Sequence, residues 1–342
     1  MLTGWPWVAA IIAATFALSW IGTRLALGWL RRRAVLDQPN ERSSHVSPTP
    51  RGGGLGVVPA IVLVWLVAGL HGGFSEGTGP LILGLALLFV VSFRDDVKSL
   101  AALPRLAVQI VAAGLALPWL LQAGPVFQGL LPIWLDLALA LLMLVGFVNF
   151  FNFMDGIDGI SGVEAGSIGL GGALVFLVAG TTGLAAVSGT QAMALGFALF
   201  GGALGFLAWN WHPAKLFLGD VGSVPLGYLT GLLCLTLAGA GLWVPALLLP
   251  AYYLADAGLT LCGRILRGEK ITQAHRSHFY QRALLGGAGH AKVAVAVANC
   301  QAVLIVASLA SLRHPWPALL AGLLAVIWLL VWQQRQAARK TG

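Results

Sequence analysis

The sequence predicts an all-α integral membrane protein, and three observations carry that prediction. Of its 342 residues, 58% are hydrophobic and only 9% charged, against about 25% charged in an ordinary soluble domain. The apolar residues fall into runs long enough to cross a bilayer as helices, for which roughly 17–25 residues suffice. The basic residues concentrate in alternate connections between those runs, as the positive-inside rule requires of a multi-span chain.

Eleven runs qualify, at about 5–29, 55–71, 80–93, 104–122, 131–151, 160–180, 190–208, 216–238, 241–262, 292–312 and 315–333. No Lys or Arg precedes the first, and Arg24, Arg31, Arg32 and Arg33 follow it. That pattern suits a retained helix with its N-terminus outside rather than a signal peptide. The third run is short and is expected to tilt, re-enter or extend beyond these bounds. Forty-five glycines suit close helix crossings in lipid. Counted from an outside N-terminus, about 30–54, 94–103, 152–159, 209–215, 263–291 and the C-terminal tail face the cytoplasm. These hold nearly all the Lys and Arg, and the opposite connections hold only Arg313. The formal charge of +8 therefore belongs to the membrane surface, and nucleic acid is not expected as a partner.

The chain reads as one domain, 1–342, with the C-terminus cytoplasmic. A short helix is expected at about 273–285 in the last long loop. Cys234, Cys262 and Cys300 are far apart in apolar runs and read as packing residues, not as a zinc or disulfide framework.

The twelve acidic residues locate the chemistry. Asp95 and Asp96 follow the third run, Asp155 and Asp158 end the fifth, and Asp220 opens the eighth. Each stands at the cytoplasmic end of an apolar segment, where an unpartnered carboxylate is costly. In NFFNFMDGIDGI, Asn149, Asn152, Asp155 and Asp158 recur every third residue, the spacing of a polar stripe on one helix face. Gly156 and Gly159 let the backbone leave helical geometry there. Clustered carboxylates repel unless a proton or cation sits among them, and hard oxygen ligands with open positions suit Mg²⁺, with Mn²⁺ as a substitute. Basic partners share these loops: Lys98 and Arg105, Arg42, His45 and Arg51, and His275, Arg276, His278 and Arg282. Positive-inside anchoring accounts for part of this set; phosphate binding accounts for the rest. Gly52, Gly53 and Gly54 would allow close backbone approach to a ligand. In WNWHPAKLFLGD, Asn210 and Phe217 could bond and stack a base, or belong to an interfacial aromatic belt. Asp256, buried in an apolar run, reads as structural. There is no GxxxxGK[ST] loop.

Five motifs then stand in order: PNERSSHVSPTPRGGG at 39–54, the acidic pair at 95–96, NFFNFMDGIDG at 149–159, HPAKLFLGDVGS at 212–223 and HRSHFYQR at 275–282. Together they resemble the polyprenyl-phosphate N-acetylhexosamine-1-phosphate transferases. The resemblance implies a bacterial inner-membrane enzyme with its active site at the cytoplasmic face. It implies Mg²⁺-dependent transfer of a sugar phosphate from a UDP-N-acetylhexosamine to undecaprenyl phosphate, releasing UMP. It implies Asp220 as metal ligand with Asp155, and Asp95, Asp96 and Asp158 as catalytic carboxylates. Asn152, Asn210 and Phe217 would serve the nucleotide; His275, His278, Arg282 and Arg51 the diphosphate or sugar; and Lys98 and Arg105 the lipid phosphate. The family admits a homodimer. His275-Arg276-Ser277-His278 departs from the triple histidine of the muramoyl-pentapeptide branch, and the 39–54 loop looks more like enzymes that initiate O-antigen or other surface polysaccharides. The rival class is a membrane transporter of an anionic or lipid-linked solute; against it, the acids cluster at one face and no inverted repeat is visible.

Overall fold

The structure, a computed structural model, describes residues 4–37, 48–74, 77–181, 189–269 and 275–338. Arg42 and His45 lie outside these. The first half contains α1 (Trp5–Arg32), β1 (Leu36–Asp37), β2 (Thr49–Pro50), α2 (Gly54–Gly72), α3 (Thr78–Val97), α4 (Ala102–Ala123) and α5 (Ile133–Met154). The second contains α6 (Ile160–Thr181), α7 (Gly189–Asn210), α8 (Asp220–Gly239), α9 (Trp243–Leu248), α10 (Ala251–Leu266), α11 (Phe279–Leu285), α12 (His290–Ala310) and α13 (Pro315–Ala338). The two strands pair antiparallel, Leu36 with Pro50 and Asp37 with Thr49, and form the only sheet among the described residues. The chain is a multi-pass, all-α membrane protein.

Nine of the described helices are long and apolar enough to cross a membrane: α1, α2, α4 to α8, α12 and α13. The short third run is α3, which extends past its predicted end and carries Arg94, Asp95 and Asp96 in its last turn. The run at 241–262 is corrected to two helices, α9 and α10, parted at Leu249 and Pro250. Pro250 has no amide hydrogen to continue the ladder, and its ring crowds the preceding turn.

The axis of the bundle is α8. Every residue from Val221 to Gly239 is buried, and the helix packs against α2 through α7 and α9. Such centrality demands small residues where backbones meet. A methyl group on Gly54 would overlap the backbone of Gly222, and one on Gly53 would strike the Phe206 ring. Gly54 therefore serves the α2–α8 crossing, and Gly53 the contact with Phe206 on α7. At the periphery, α1 and α13 expose Trp5, Trp20, Trp29, Trp316 and Trp328, as helices facing lipid and its interface do. Cys234 and Cys300 are buried, but Cys262 is exposed on α10 and packs no core.

The short helix in the last loop begins at Phe279, not near 273. Its start is fixed by Asp256 on α10, whose carboxylate accepts the Phe279 and Tyr280 amides at 3.0 and 3.2 Å.

Substituting Gly54→Val should lower the melting temperature of the detergent-solubilised protein, since overpacking costs about 1–3 kcal/mol. An unchanged transition would contradict the α2–α8 contact.

Candidate active site

The central helix delivers its N-terminus, and with it Asp220, to one end of the bundle. The first amides of a helix lack intrahelical acceptors. Here those of Asp220 and Val221 donate to Asp96, one to each carboxylate oxygen, both at 2.9 Å. Asp96 thus caps α8 from α3. Its side chain is fully enclosed, and Oδ1 also pairs with Arg51 Nε at 2.7 Å. Arg51 reaches on to Asp220, Nη2 to Oδ1 at 2.5 Å. Burial works against the Arg51 charge, but Asp220 and Asp96 outweigh it and hold the guanidinium more firmly protonated than usual. With both oxygens engaged, Asp96 positions Asp220 and Arg51 and presents no free atom to a reactant.

Arg51 comes from the loop after β2, and that loop is stitched to the segment leading into α8. Gly52 and Gly53 donate to the Phe217 carbonyl at 3.1 and 2.8 Å, and Phe217 N–H donates to Pro50 at 2.9 Å. Gly52 has φ +129°, a conformation L residues rarely adopt. Phe217 and Arg51 are bridged through the backbone.

Asp95, next to Asp96 on α3, turns the other way. It accepts the Leu100 amide at 2.6 Å and Arg105 Nη1 at 2.7 Å. The Asp95 and Asp220 carboxylates flank the same guanidinium nitrogen of Arg105, and carboxylates brought together in this way favour a proton or a cation between them. Arg105 also approaches Asp220, at 3.5 Å. Asn152 at the end of α5 donates to Asp220 at 3.3 Å and to Ser223 at 2.8 Å. Three carboxylates, two guanidiniums and an amide thus converge; Asp95 and Asp220 supply carboxylate oxygens that fit a hard divalent cation, and the Asn152 amide orients Asp220.

The predicted stripe does not continue past α5. That helix ends at Met154, and Asp155 and Asp158 lie in the following loop. Asn149 faces Gln109 on α4, at 2.7 Å. Asp155 accepts the Ser161 hydroxyl at 2.7 Å, and burial pushes its carboxyl up to about 7 against that bond. Asp158 turns to His212, the Ala214 amide and His290, at 2.6, 3.1 and 3.4 Å. Burial would raise its pKa, but contacts with His290 and His212 hold it below the usual carboxylate range. None of its described contacts joins it to Asp95, Asp96 or Asp220. Gly159, with φ +81°, makes the turn into α6, and its amide donates to Asn210 Oδ1 at 2.9 Å. The other end of the Asn210 amide donates to the Leu216 carbonyl. Asn210 thus holds two loops together instead of facing outward.

A groove of about 610 Å³ opens onto this centre. Arg105, Asn152, Asp220, His275, His278 and Gln281 line one part, and Leu88, Val91, Leu103, Leu106 and Val108 another. His278 is oriented by Asp256, Nδ1 to Oδ1 at 3.1 Å, with both side chains buried. Asp256 is structural, as read from the sequence, but the structure it maintains includes a lining residue of the groove. His275 accepts from Ser277 at Nδ1, at 2.7 Å. Burial first, then the neighbouring His278 and Arg264, lower its pKa to about 4. Arg282 lays its guanidinium over the Phe279 ring, 4.3 Å from the centroid. Lys98 is exposed at the end of α3, with no side-chain partner among the described residues. His212, His290 and Ser223 escaped the sequence reading. Their partners are distant in the chain, and HPAK at 212–215 is the one local signal that could have drawn attention to His212.

Fold and site together define an integral membrane protein with a charged, cation-compatible centre where its central helix meets an amphiphilic groove. The profile of glycosyl transferase family 4 matches residues 79–238. The decaprenyl-phosphate N-acetylglucosaminephosphotransferase of Mycolicibacterium smegmatis is 31% identical, over 84% of this chain and 78% of its own. The probable undecaprenyl-phosphate N-acetylglucosaminyl 1-phosphate transferase of Bacillus subtilis is 26% identical, over 82% and 79%. A phospho-N-acetylmuramoyl-pentapeptide-transferase of Synechococcus is 34% identical, over 69% and 71%. The chain belongs to glycosyl transferase family 4, a family of phospho-sugar transferases.

Replacing Asp96 by Ala should strip two buried amides of their acceptor, at about 1–3 kcal/mol each, and lower the melting temperature. Lys98→Ala should leave it unchanged. Equal transitions for the two variants would contradict the capping role.

Proposed function

We propose that the protein transfers N-acetylhexosamine 1-phosphate, with N-acetylglucosamine as the favoured sugar, from its UDP ester to undecaprenyl phosphate, releasing UMP. The observation that carries the reading is the groove, apolar along α3 and α4 and charged where it meets Asp220. An acceptor with a hydrocarbon tail and a phosphate head matches both parts. The two N-acetylglucosamine relatives support the sugar. The loop at 39–54 supports surface-polysaccharide initiation, O-antigen among them, while the relatives' names point toward cell-wall polymers. The basic connections support a site on the cytoplasmic side of the inner membrane.

In this reading Arg105, beside Asp95 and Asp220, binds the acceptor phosphate. His275, His278 and Arg282 hold the donor diphosphate, with Arg51 steadying Asp220. Asp95 and Asp220 would hold Mg²⁺, with Asn152 orienting Asp220 and Asp155 behind them; the ion would offset the repulsion between two polyanions as charge shifts to the leaving phosphate. An acceptor phosphate oxygen attacks the β-phosphorus as its bond to the UMP oxygen breaks. The phosphate is already largely ionised at neutral pH, its second pKa being about 6, so positioning matters more than a strong base. Asp95, already engaged by Arg105 and the Leu100 amide, then serves alignment, and the transfer is direct, without a covalent aspartyl intermediate.

The test is UMP release by purified protein with undecaprenyl phosphate, Mg²⁺ and a panel of UDP-N-acetylhexosamines. Release should require the acceptor, stop in EDTA and fall by about two to three orders of magnitude in Asp220→Asn. UMP formed with stoichiometric sugar phosphate on the enzyme, in the absence of acceptor, would overturn direct attack. No release with any donor from folded protein would overturn the reaction.

A further inference from the structure

Asp158 heads a second set of ligand atoms outside the Asp95–Asp220 cluster. Its Oδ2 lies 2.6 Å from His212 Nδ1, and its Oδ1 3.4 Å from His290 Nδ1. The two imidazoles are stacked, 4.9 Å between centroids and 22° between planes. One donor atom from each of the three residues lies within 4.8 Å of the others. The Asp158 amide donates to His290 Nδ1 at 3.2 Å, so in this arrangement that nitrogen is deprotonated and a metal would take its lone pair over from the amide. The Ala214 amide orients the carboxylate from behind, at 3.1 Å. His212 is 42% exposed, leaving an entry path and room for a water ligand.

We propose that Asp158, His212 and His290 form a transition-metal site of the Zn²⁺ class. Tetrahedral Zn²⁺ with bonds of about 2.0–2.1 Å separates its ligands by about 3.3–3.4 Å. The His290–Asp158 pair already has that spacing. His212 faces the other carboxylate oxygen, at 2.6 Å; to join the same ion it would shed its Nδ1 proton and draw back as the carboxylate turns between the two rings. Two imidazoles and a carboxylate with one open position favour Zn²⁺ over Mg²⁺, which separates this site from the all-oxygen set at α8. Bound there, the ion would join the loop after α5, the loop before α8 and the first residue of α12. It would thereby regulate the loop that leads through Phe217 to Asp220. The proposal does not depend on the sugar or the acceptor. The competing reading is a metal-free hydrogen-bonded clamp made by the same three side chains.

The experiment uses tag-free, metal-stripped, full-length protein in detergent. Titration with Co²⁺ should give one equivalent with the visible spectrum of a low-coordinate, nitrogen-ligated ion, displaced by Zn²⁺ and not by Mg²⁺. His212→Gln and His290→Gln should each weaken binding by about tenfold or more, and the double variant should lose it. X-ray absorption of Zn²⁺-loaded wild-type protein, which needs no variant, should show two imidazoles in the first shell. Equal Co²⁺ binding by wild type and double variant, a first shell without imidazole pairs, or no binding by wild type would overturn the proposal.

Discussion

The buried carboxylate of Asp96 is the constraint on which the rest depends. A central helix enclosed on all sides ends in amides that water cannot reach. Asp96 supplies their acceptors from α3 and binds Arg51 with the same group. Arg51 is anchored in the loop before α2, so one side chain ties three elements to a point. Asp220 is fixed there as the first residue of α8, and the neighbouring Asp95 is linked to it through Arg105. Removing either anionic partner would leave a guanidinium or helix terminus exposed to a low-dielectric interior.

The same arrangement explains why a charged centre survives at the end of an apolar bundle. Asp95, Asp96 and Asp220 carry more negative charge than Arg51 and Arg105 cancel, and Asp95 and Asp220 meet at the same Arg105 nitrogen. Such a set is stable only with a proton or cation at the contact. The groove brings Arg105 and the histidines to the same place, and Asp256 fixes the histidine segment from beneath. The preorganisation resides in two buried carboxylates, Asp96 on one side and Asp256 on the other.

Much of this was legible in the sequence. Apolar run length located the membrane helices, because a bilayer leaves few other solutions for a chain with so few charges. Acids at the ends of those runs marked the centre, since burial there demands partners. What failed was continuity. The stripe from Asn149 to Asp158 assumed that α5 continued, but the chain turns at Met154 and sends Asp158 to partners 54 and 132 residues away. Gly54 was ambiguous because close approach to a ligand and to Gly222 require the same absence of a side chain. The break between α9 and α10 was written in Pro250, but hydropathy averages over it.

The most direct test of the account is a cryo-electron microscopy structure of the protein with Mg²⁺ and UDP-N-acetylglucosamine. The account predicts diphosphate density at the start of α8, between Asp220, Asn152 and the histidine segment, with Asp96 still capping the helix. Diphosphate bound elsewhere, or an α8 terminus released from Asp96 when the donor binds, would contradict it.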